Sequence, residues 1–104
     1  MNDFIFVYIT NPSKEAAMKI SKHLLDKHLI ACANLFPIES IYRWKGKIKE
    51  EKEYVLIVKT LDKHFGRIKR EVETTHPYSI PCIVKIPVSS NLKYFTWIKK
   101  EVKI

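Results

Sequence analysis

The fold is decided by two short runs of β-branched and aromatic residues, FIFVYIT at residues 4–10 and YVLIVKT at residues 54–60. The side chains of a strand alternate between its two faces, and both faces of these runs are largely apolar. Such runs are typical of strands that lie in the middle of a sheet and are buried on both sides. We therefore expect these two segments to form the centre of one β-sheet.

A helix is predicted after each central strand, because apolar residues recur there at helical spacing. The first helix should begin with Asn11 as its cap and Pro12 in its first turn, and end near His28. The second helix carries an apolar stripe over residues 61–72 and should end at His76, which precedes a proline. The chain thus contains two strand–helix units.

Two further strands and a closing helix complete the pattern. Residues 31–48 are predicted to be extended, with Pro37 indicating a bulge or an edge strand, and a charged turn is expected at residues 49–53. Residues 82–88 form the fourth predicted strand, and residues 92–102 carry the apolar stripe of a last helix. The order β-α-β-β-α-β plus a helix predicts an α+β, ferredoxin-like sandwich. Its strands should lie in the order 4-1-3-2, with both main helices on one face.

The predicted sheet has one apolar face that neither main helix covers. An uncovered apolar face on so small a domain is typical of an interaction surface. The long second and third strands would also project beyond the two helices that cover the sheet. Both features predict an oligomer that packs sheet faces together and pairs strand edges between subunits.

The composition is that of one folded domain over residues 1–104, with 46% hydrophobic residues and a net charge of +8. Sixteen of the 19 basic residues are lysines, whereas planar recognition of phosphate prefers arginine. This favours a solvated lysine-rich surface over a nucleic-acid site. No apolar run approaches the ~20 residues of a membrane-spanning helix. With nothing that argues for export, we expect a cytoplasmic protein with reduced thiols and no membrane partner.

Two aromatic residues late in the second strand, Tyr42 and Trp44, share one face of that strand. Cross-strand aromatic packing is the simpler interpretation of this spacing. The functional interpretation is the wall of a pocket at a subunit junction, with Arg43 or Lys59 supplying charge.

Two prolines that bracket Tyr78 constrain the segment HPYSIPC, which runs from His76 to Cys82. A histidine held in such a loop either caps the carboxyl end of the helix, which the residues alone favour, or binds a metal or moves a proton. Cys32 and Cys82 begin the strands at opposite edges of the predicted sheet, ~14 Å apart and beyond disulfide reach. Each cysteine is a small buried hydrophobe or a ligand for a soft metal.

Five fragments stand in register across nearly the whole chain: ACAN at 31–34, YRWKG at 42–46, KT at 59–60, HPY at 76–78 followed by Pro81, and YFTWI at 94–98. Together they resemble the CutA family, the divalent-cation tolerance proteins. The resemblance implies a homotrimer of ferredoxin-like subunits, similar in architecture to the PII signalling proteins. It also implies tolerance of copper and other divalent cations, and copper binding in some members. No enzymatic activity is established for that family, and we expect none here.

Residue by residue, the resemblance implies a metal site that includes His76 and Cys32. Two other ligands of copper-binding members are replaced here, by Ile9 and Thr75, and Cys82 stands where a glutamate is common. We therefore predict that copper or another divalent cation binds His76 with Cys32 or Cys82, at a subunit junction.

A second hypothesis is a PII-like sensor that binds a small anion in a cleft between subunits. The residues expected to line this cleft are Tyr42, Trp44, Lys59, His76 and Tyr78. Calorimetric titration with metals and nucleotides separates the two hypotheses.

Two other classes share this topology and are disfavoured. An acylphosphatase needs a phosphate-binding loop after the first strand that contains an arginine, and TNPS at residues 10–13 offers neither a glycine nor an arginine. An RNA-recognition domain needs a glycine-aromatic pattern in its third strand, which residues 54–60 lack.

Overall fold

The computed structural model describes residues 2–102, which form one antiparallel sheet and three α-helices. The strands lie in the order β2-β3-β1-β4, so the predicted order and the ferredoxin-like α+β class are confirmed. The elements in chain order are β1 (Asp3–Asn11), α1 (Lys14–Asp26), β2 (Cys32–Trp44), β3 (Lys47–Thr60), a 3-10 turn (Asp62–His64), α2 (Phe65–Thr75), β4 (Ile83–Ser89) and α3 (Leu92–Glu101).

The cap of α1 is Ser13, so the prediction that Asn11 caps this helix is wrong. The hydroxyl of Ser13 accepts a hydrogen bond of 3.1 Å from the backbone N–H of Ala16. Asn11 is instead the last residue of β1, where it pairs with Tyr54 of β3. Its buried side-chain amide donates to the carbonyl oxygen of Ile9 at 3.2 Å. Asn11 therefore belongs to the sheet, and Ser13, the first polar residue after β1, is the N-cap of α1.

The turn between β2 and β3 lies at Lys45 and Gly46, and the charged turn predicted at residues 49–53 is wrong. Lys45 and Gly46 have φ values of 49° and 78°, the left-handed region that a two-residue hairpin turn needs and that glycine favours. Residues 49–53 are paired with β2, and their charges do not break the strand because residues 49–52 are exposed to solvent. Only Glu53 in this run is buried. Charge alone is therefore no marker of a loop here.

From Lys47 to Glu53, β3 pairs only with β2, because the β1–β3 ladder ends at the Asn11–Tyr54 pair. We call this two-stranded ribbon, residues 38–53, the arm. The molecule accordingly measures 45 × 24 × 21 Å along its principal axes. A two-stranded ribbon is marginally stable by itself, so the arm needs a contact that covers it.

Helices α1 and α2 pack on one face of the sheet and form the main core. The opposite face is covered in part by α3, where Phe4, Ala31, Ile98 and Val102 form a second buried cluster. The expectation that the chain covers none of this face is therefore wrong at the α3 end. Outside α3 the same face carries side chains that are still substantially exposed, at 41% for Phe36, 48% for Val84 and 37% for Ile86. The largest buried side chains of the main core include Val7, Ile9, Leu24, Leu56 and Ile68.

Candidate functional site

The site begins where α2 ends, at His76. The backbone N–H of His76 donates to the carbonyl oxygen of Val72 at 2.8 Å, which makes His76 the C-cap residue of α2. The segment that follows, residues 77–82, has no regular structure, and the ring of His76 just before it contacts Thr10 near the end of β1. The helix-cap interpretation of His76 is thus confirmed for its backbone.

The imidazole of His76 is buried and uses both of its ring nitrogens. Nδ1 accepts a hydrogen bond from the backbone N–H of Tyr78 at 3.1 Å. Nε2 lies 2.8 Å from the carbonyl oxygen of Thr10, and because a carbonyl only accepts, Nε2 carries the proton and donates it. His76 in this arrangement is a neutral imidazole that ties the 77–82 segment to the end of β1.

Tyr78 continues this connection to the arm. Its ring centroid lies 4.8 Å from that of His76, and its hydroxyl donates a hydrogen bond of 2.6 Å to Oε2 of Glu53. Burial of the phenol, and then its hydrogen bond to Glu53, raise the pKa of Tyr78 well above its ordinary value. The phenol is therefore a permanent donor that orients the carboxylate of Glu53.

A cavity of about 650 Å³ lies between the arm and the 77–82 segment. We call it the acidic cavity. Ser40, Tyr42 and Trp44 share the face of Glu51 and Glu53, because Ser40 pairs with Glu51 and side chains alternate along each strand. The lining residues are the aromatic Tyr42, Trp44 and Tyr78, the apolar Ile41, Pro77 and Ile80, the hydroxyl-bearing Thr10, Ser40 and Ser79, and the acidic Glu51 and Glu53.

The charge of the residues that line this cavity is one-sided, and the Nζ of Lys45, outside this set, lies 5.9 Å from the ring centroid of Trp44. Among the described residues that line it, two are carboxylates and none is lysine or arginine. Glu53 is only 8% exposed, so its carboxylate is shielded from solvent. Glu51 and Glu53 lie two residues apart on one strand face, which places their Cα atoms about 7 Å apart. Such a pair attracts a cation and repels an anion.

The structure brings together three of the five residues predicted to line a ligand cleft. Tyr42, Trp44 and Tyr78 meet at the acidic cavity. A fourth, His76, contacts Tyr78 with a ring-centroid distance of 4.8 Å but is not among the residues that line the cavity. Lys59 lies elsewhere in the chain, with its Nζ 5.6 Å from the ring centroid of Phe6 and 5.5 Å from that of Tyr94 in α3.

Sequence reasoning missed the two carboxylates of the cavity. Glu51 and Glu53 were placed in a turn, although their alternation with Glu50 and Lys52 is compatible with a strand. The run from Glu50 to Glu53 carries its acids on both faces, and this masks the pattern.

The residues predicted as metal ligands do not meet within one chain. Cys32 begins β2 and Cys82 precedes β4, and these are the two edge strands of the sheet. Both cysteines are free thiols and are half-buried. Across residues 2–102, no three His, Cys, Asp or Glu side chains are grouped so as to hold a metal ion. A site of His76, Cys32 and Cys82 at a subunit junction stays a prediction. Likewise, no helix within this part of the chain is long and apolar enough to span a membrane.

The architecture defines the class of protein, which is an α+β sandwich with a ferredoxin-like sheet, a third helix and a projecting arm. The sequence profile of the family described as CutA1 divalent ion tolerance protein matches residues 5–101. The chain belongs to this family. The family description names tolerance of divalent ions and no catalysed reaction.

Individual relatives match over nearly their whole length. The chain is 46% identical over 99 residues to the divalent-cation tolerance protein CutA of Archaeoglobus fulgidus, covering 94% of this chain and 97% of the relative. It is 42% identical over 97 residues to that of Thermus thermophilus, covering 91% and 94%. The similarity therefore extends over the arm, the 77–82 segment and α3 alike.

Solved structures share the fold closely. CutA from Archaeoglobus fulgidus, described as periplasmic, superposes with a TM-score of 0.92 at 44% identity, covering 95% of this chain and 98% of that one. CutA1 from Oryza sativa superposes with a TM-score of 0.93 at 35% identity, covering 97% and 94%. A rice relative is named as chloroplastic, so the named relatives do not share one compartment. A cytoplasmic location for this chain stays a prediction.

Proposed function

We propose that this protein binds a divalent cation directly, as a homotrimer, and that it acts in tolerance of such cations without catalysing a reaction. The observation that carries this proposal is the charge of the acidic cavity, where Glu51 and Glu53 are the only full charges among the described lining residues. Carboxylate oxygens are common ligands of divalent cations.

Of the two carboxylates, Glu53 is the one that is already oriented to bind a cation. Its Oε2 accepts the hydrogen bond from Tyr78, and this fixes the orientation of the carboxylate before a cation arrives. Hydroxyl groups of Thr10 and Ser40 line the same space. Two carboxylates leave a cation with open coordination positions, which water or a neighbouring chain would fill.

Homotrimer formation is supported by the surfaces that one chain leaves exposed. On the arm, Ile41 is 73% and Ile48 is 66% exposed. The sheet face outside α3 adds Phe36, Val84 and Ile86, and both edge strands offer backbone groups for pairing. The trimeric order and the PII-like arrangement are those that the resemblance to the family implies.

Copper and zinc are cations for which thiolates and an imidazole are suitable donors. We propose Cys32, Cys82 and His76 as ligands of copper or another such cation only where two or more chains meet, because the cysteines lie at opposite edges of one sheet. His76 would join such a site after giving up one of the two bonds that its ring makes. The carboxylates of the acidic cavity favour harder cations such as Mn²⁺.

An anion-binding, PII-like sensor is the alternative, and the charge of the cavity argues against it. This alternative expects Arg43 or Lys59 to supply positive charge, and neither is among the described lining residues, since Lys59 lies beside α3. We therefore retain cation binding as the function that the geometry supports best.

Calorimetric titration of the wild-type protein with Mn²⁺, Cu²⁺, Zn²⁺ and ATP tests this choice. We expect heat from at least one metal and none from ATP. A variant with Cys32→Ser and Cys82→Ser should lose Cu²⁺ affinity and keep Mn²⁺ affinity. Tight ATP binding without any metal heat would contradict the proposal, and native mass spectrometry of the same sample tests the trimer.

A further inference from the structure

We infer that the acidic cavity also accepts an organic cation, an ammonium or guanidinium group carried on an apolar body. The inference rests on the proposed function, because both assign a cation to the carboxylates of Glu51 and Glu53. It goes further by naming a second ligand class for the same cavity.

The size of the cavity is the first reason. Its volume of about 650 Å³ lies within the range of roughly 300–1,000 Å³ that is typical of sites for small organic molecules. A single water occupies about 30 Å³ of liquid, so a metal ion with a few waters fills only part of this space. The remainder is bounded by side chains that have no use in binding a bare ion.

Those side chains are aromatic and apolar. Tyr42 and Trp44 stand on one face of β2, and Tyr78 faces them from the 77–82 segment. The faces of aromatic rings attract organic cations, and Trp does so most strongly. Ile80 is 72% exposed and borders the same space, so it offers contact to an apolar body.

The polar groups of the cavity select for positive charge. Glu53 is held by the Tyr78 hydroxyl and largely removed from solvent, and Glu51 lies on the same strand face. An ammonium group donates hydrogen bonds to such carboxylates, and bonds between charged partners are the strong ones. A carboxylate ligand of the same size would meet only negative charge.

Phenethylamine and phenylacetate form a matched pair of probes with opposite charge on the same ring. In a Trp97→Phe background, Trp44 is the sole tryptophan, and its fluorescence reports binding at the cavity. We expect phenethylamine to change this fluorescence in a saturable way and phenylacetate to leave it unchanged. Equal binding of both probes, or no binding of phenethylamine at millimolar concentration, would overturn the inference.

Substitutions locate the bound ammonium group. Glu51→Gln with Glu53→Gln should weaken phenethylamine binding by about tenfold or more, since each removes a charged hydrogen-bond acceptor. Glu73→Gln, at an exposed position on α2, is the control that removes a carboxylate outside the cavity, and it should have no effect. If the control weakens binding as much as the cavity variants do, the assignment to the cavity is overturned.

Two further comparisons distinguish this inference from the proposed function and from contact with a second copy of the chain. If the protein binds Mn²⁺ and does not bind phenethylamine, this inference is overturned and the proposed function stands. If it binds phenethylamine and no divalent cation, the proposed function is overturned and this inference stands. The tip of the arm carries Lys45, Lys47 and Lys49, so a second copy of the chain offers the same ammonium chemistry. If the variant with Lys47→Gln and Lys49→Gln binds phenethylamine and the wild type does not, the arm of a neighbouring chain occupies the acidic cavity of the wild type. The assignment of this cavity to a free organic cation is then overturned.

Discussion

The hydroxyl of Tyr78 donates a 2.6 Å hydrogen bond to Oε2 of Glu53, joining the segment after α2 to the base of the arm across 25 positions of sequence. This contact brings the aromatic wall of the 77–82 segment to the acidic wall formed by β3. His76 stabilises this contact, because its ring accepts a hydrogen bond from the backbone N–H of Tyr78.

Tyr78→Phe should lower the free energy of unfolding by about 1–3 kcal/mol, because the partly desolvated Glu53 carboxylate loses its donor. Guanidinium denaturation measures this change. In a double-mutant cycle with Glu53→Gln, the two effects should be non-additive by at least about 0.5 kcal/mol, as for residues in direct contact. Additive effects would show that the hydrogen bond contributes nothing to stability.

His76→Ala should also destabilise the fold, since it removes two hydrogen bonds and leaves the Thr10 carbonyl without its donor. A loss of about 1–3 kcal/mol is expected in the same denaturation measurement. His28→Ala, an exposed position after α1, is the matched control and should change stability by less than about 0.5 kcal/mol. A change at His76 as small as that at His28 would contradict a structural role for the buried ring.

Stability should fall as the pH is lowered from 7 to 5, because of His64. This side chain is 5% exposed, and its Nε2 has no hydrogen-bond partner among the described residues. Burial, together with the charges of Lys63 and Arg67, lowers the pKa of His64 in the folded state, so the unfolded chain takes up the proton first. The stability that the neutral ring provides is therefore complete above the unfolded pKa of about 6.5 and is lost as the pH falls below it. His64→Leu should flatten the slope of unfolding free energy against pH, and an unchanged slope would assign the effect to another group.

Two glycines should respond with opposite sign to substitution by alanine. Gly46 has a φ of 78° in the arm turn, so Gly46→Ala should cost about 1–2 kcal/mol even though a Cβ there meets nothing within 4 Å. Gly66 lies in α2, where a Cβ would meet only Arg70 Nη1 at 3.7 Å, an ordinary contact. Gly66→Ala should therefore stabilise the protein by about 0.5 kcal/mol. Thermal denaturation of the pair checks both signs, and equal shifts would contradict the backbone explanation.

The sheet was predictable because its central strands, residues 4–10 and 54–60, are apolar on both faces, and only a central position in a covered sheet satisfies that pattern. The arm was harder to predict. Residues 49–52 of the arm are exposed, so their side chains need not be apolar, and Lys49 to Glu53 resemble a loop although they are paired. The acidic cavity depends on Tyr78 meeting Glu53, a contact between distant segments that no local spacing encodes.

The central claim is that the carboxylates of Glu51 and Glu53 bind a divalent cation, and Mn²⁺ calorimetry on Glu51→Gln with Glu53→Gln tests it most directly. The double variant should lose the Mn²⁺ binding heat of the wild type, while the exposed control Glu73→Gln should keep it. Mn²⁺ affinity that is the same in the double variant, the control and the wild type would contradict the claim.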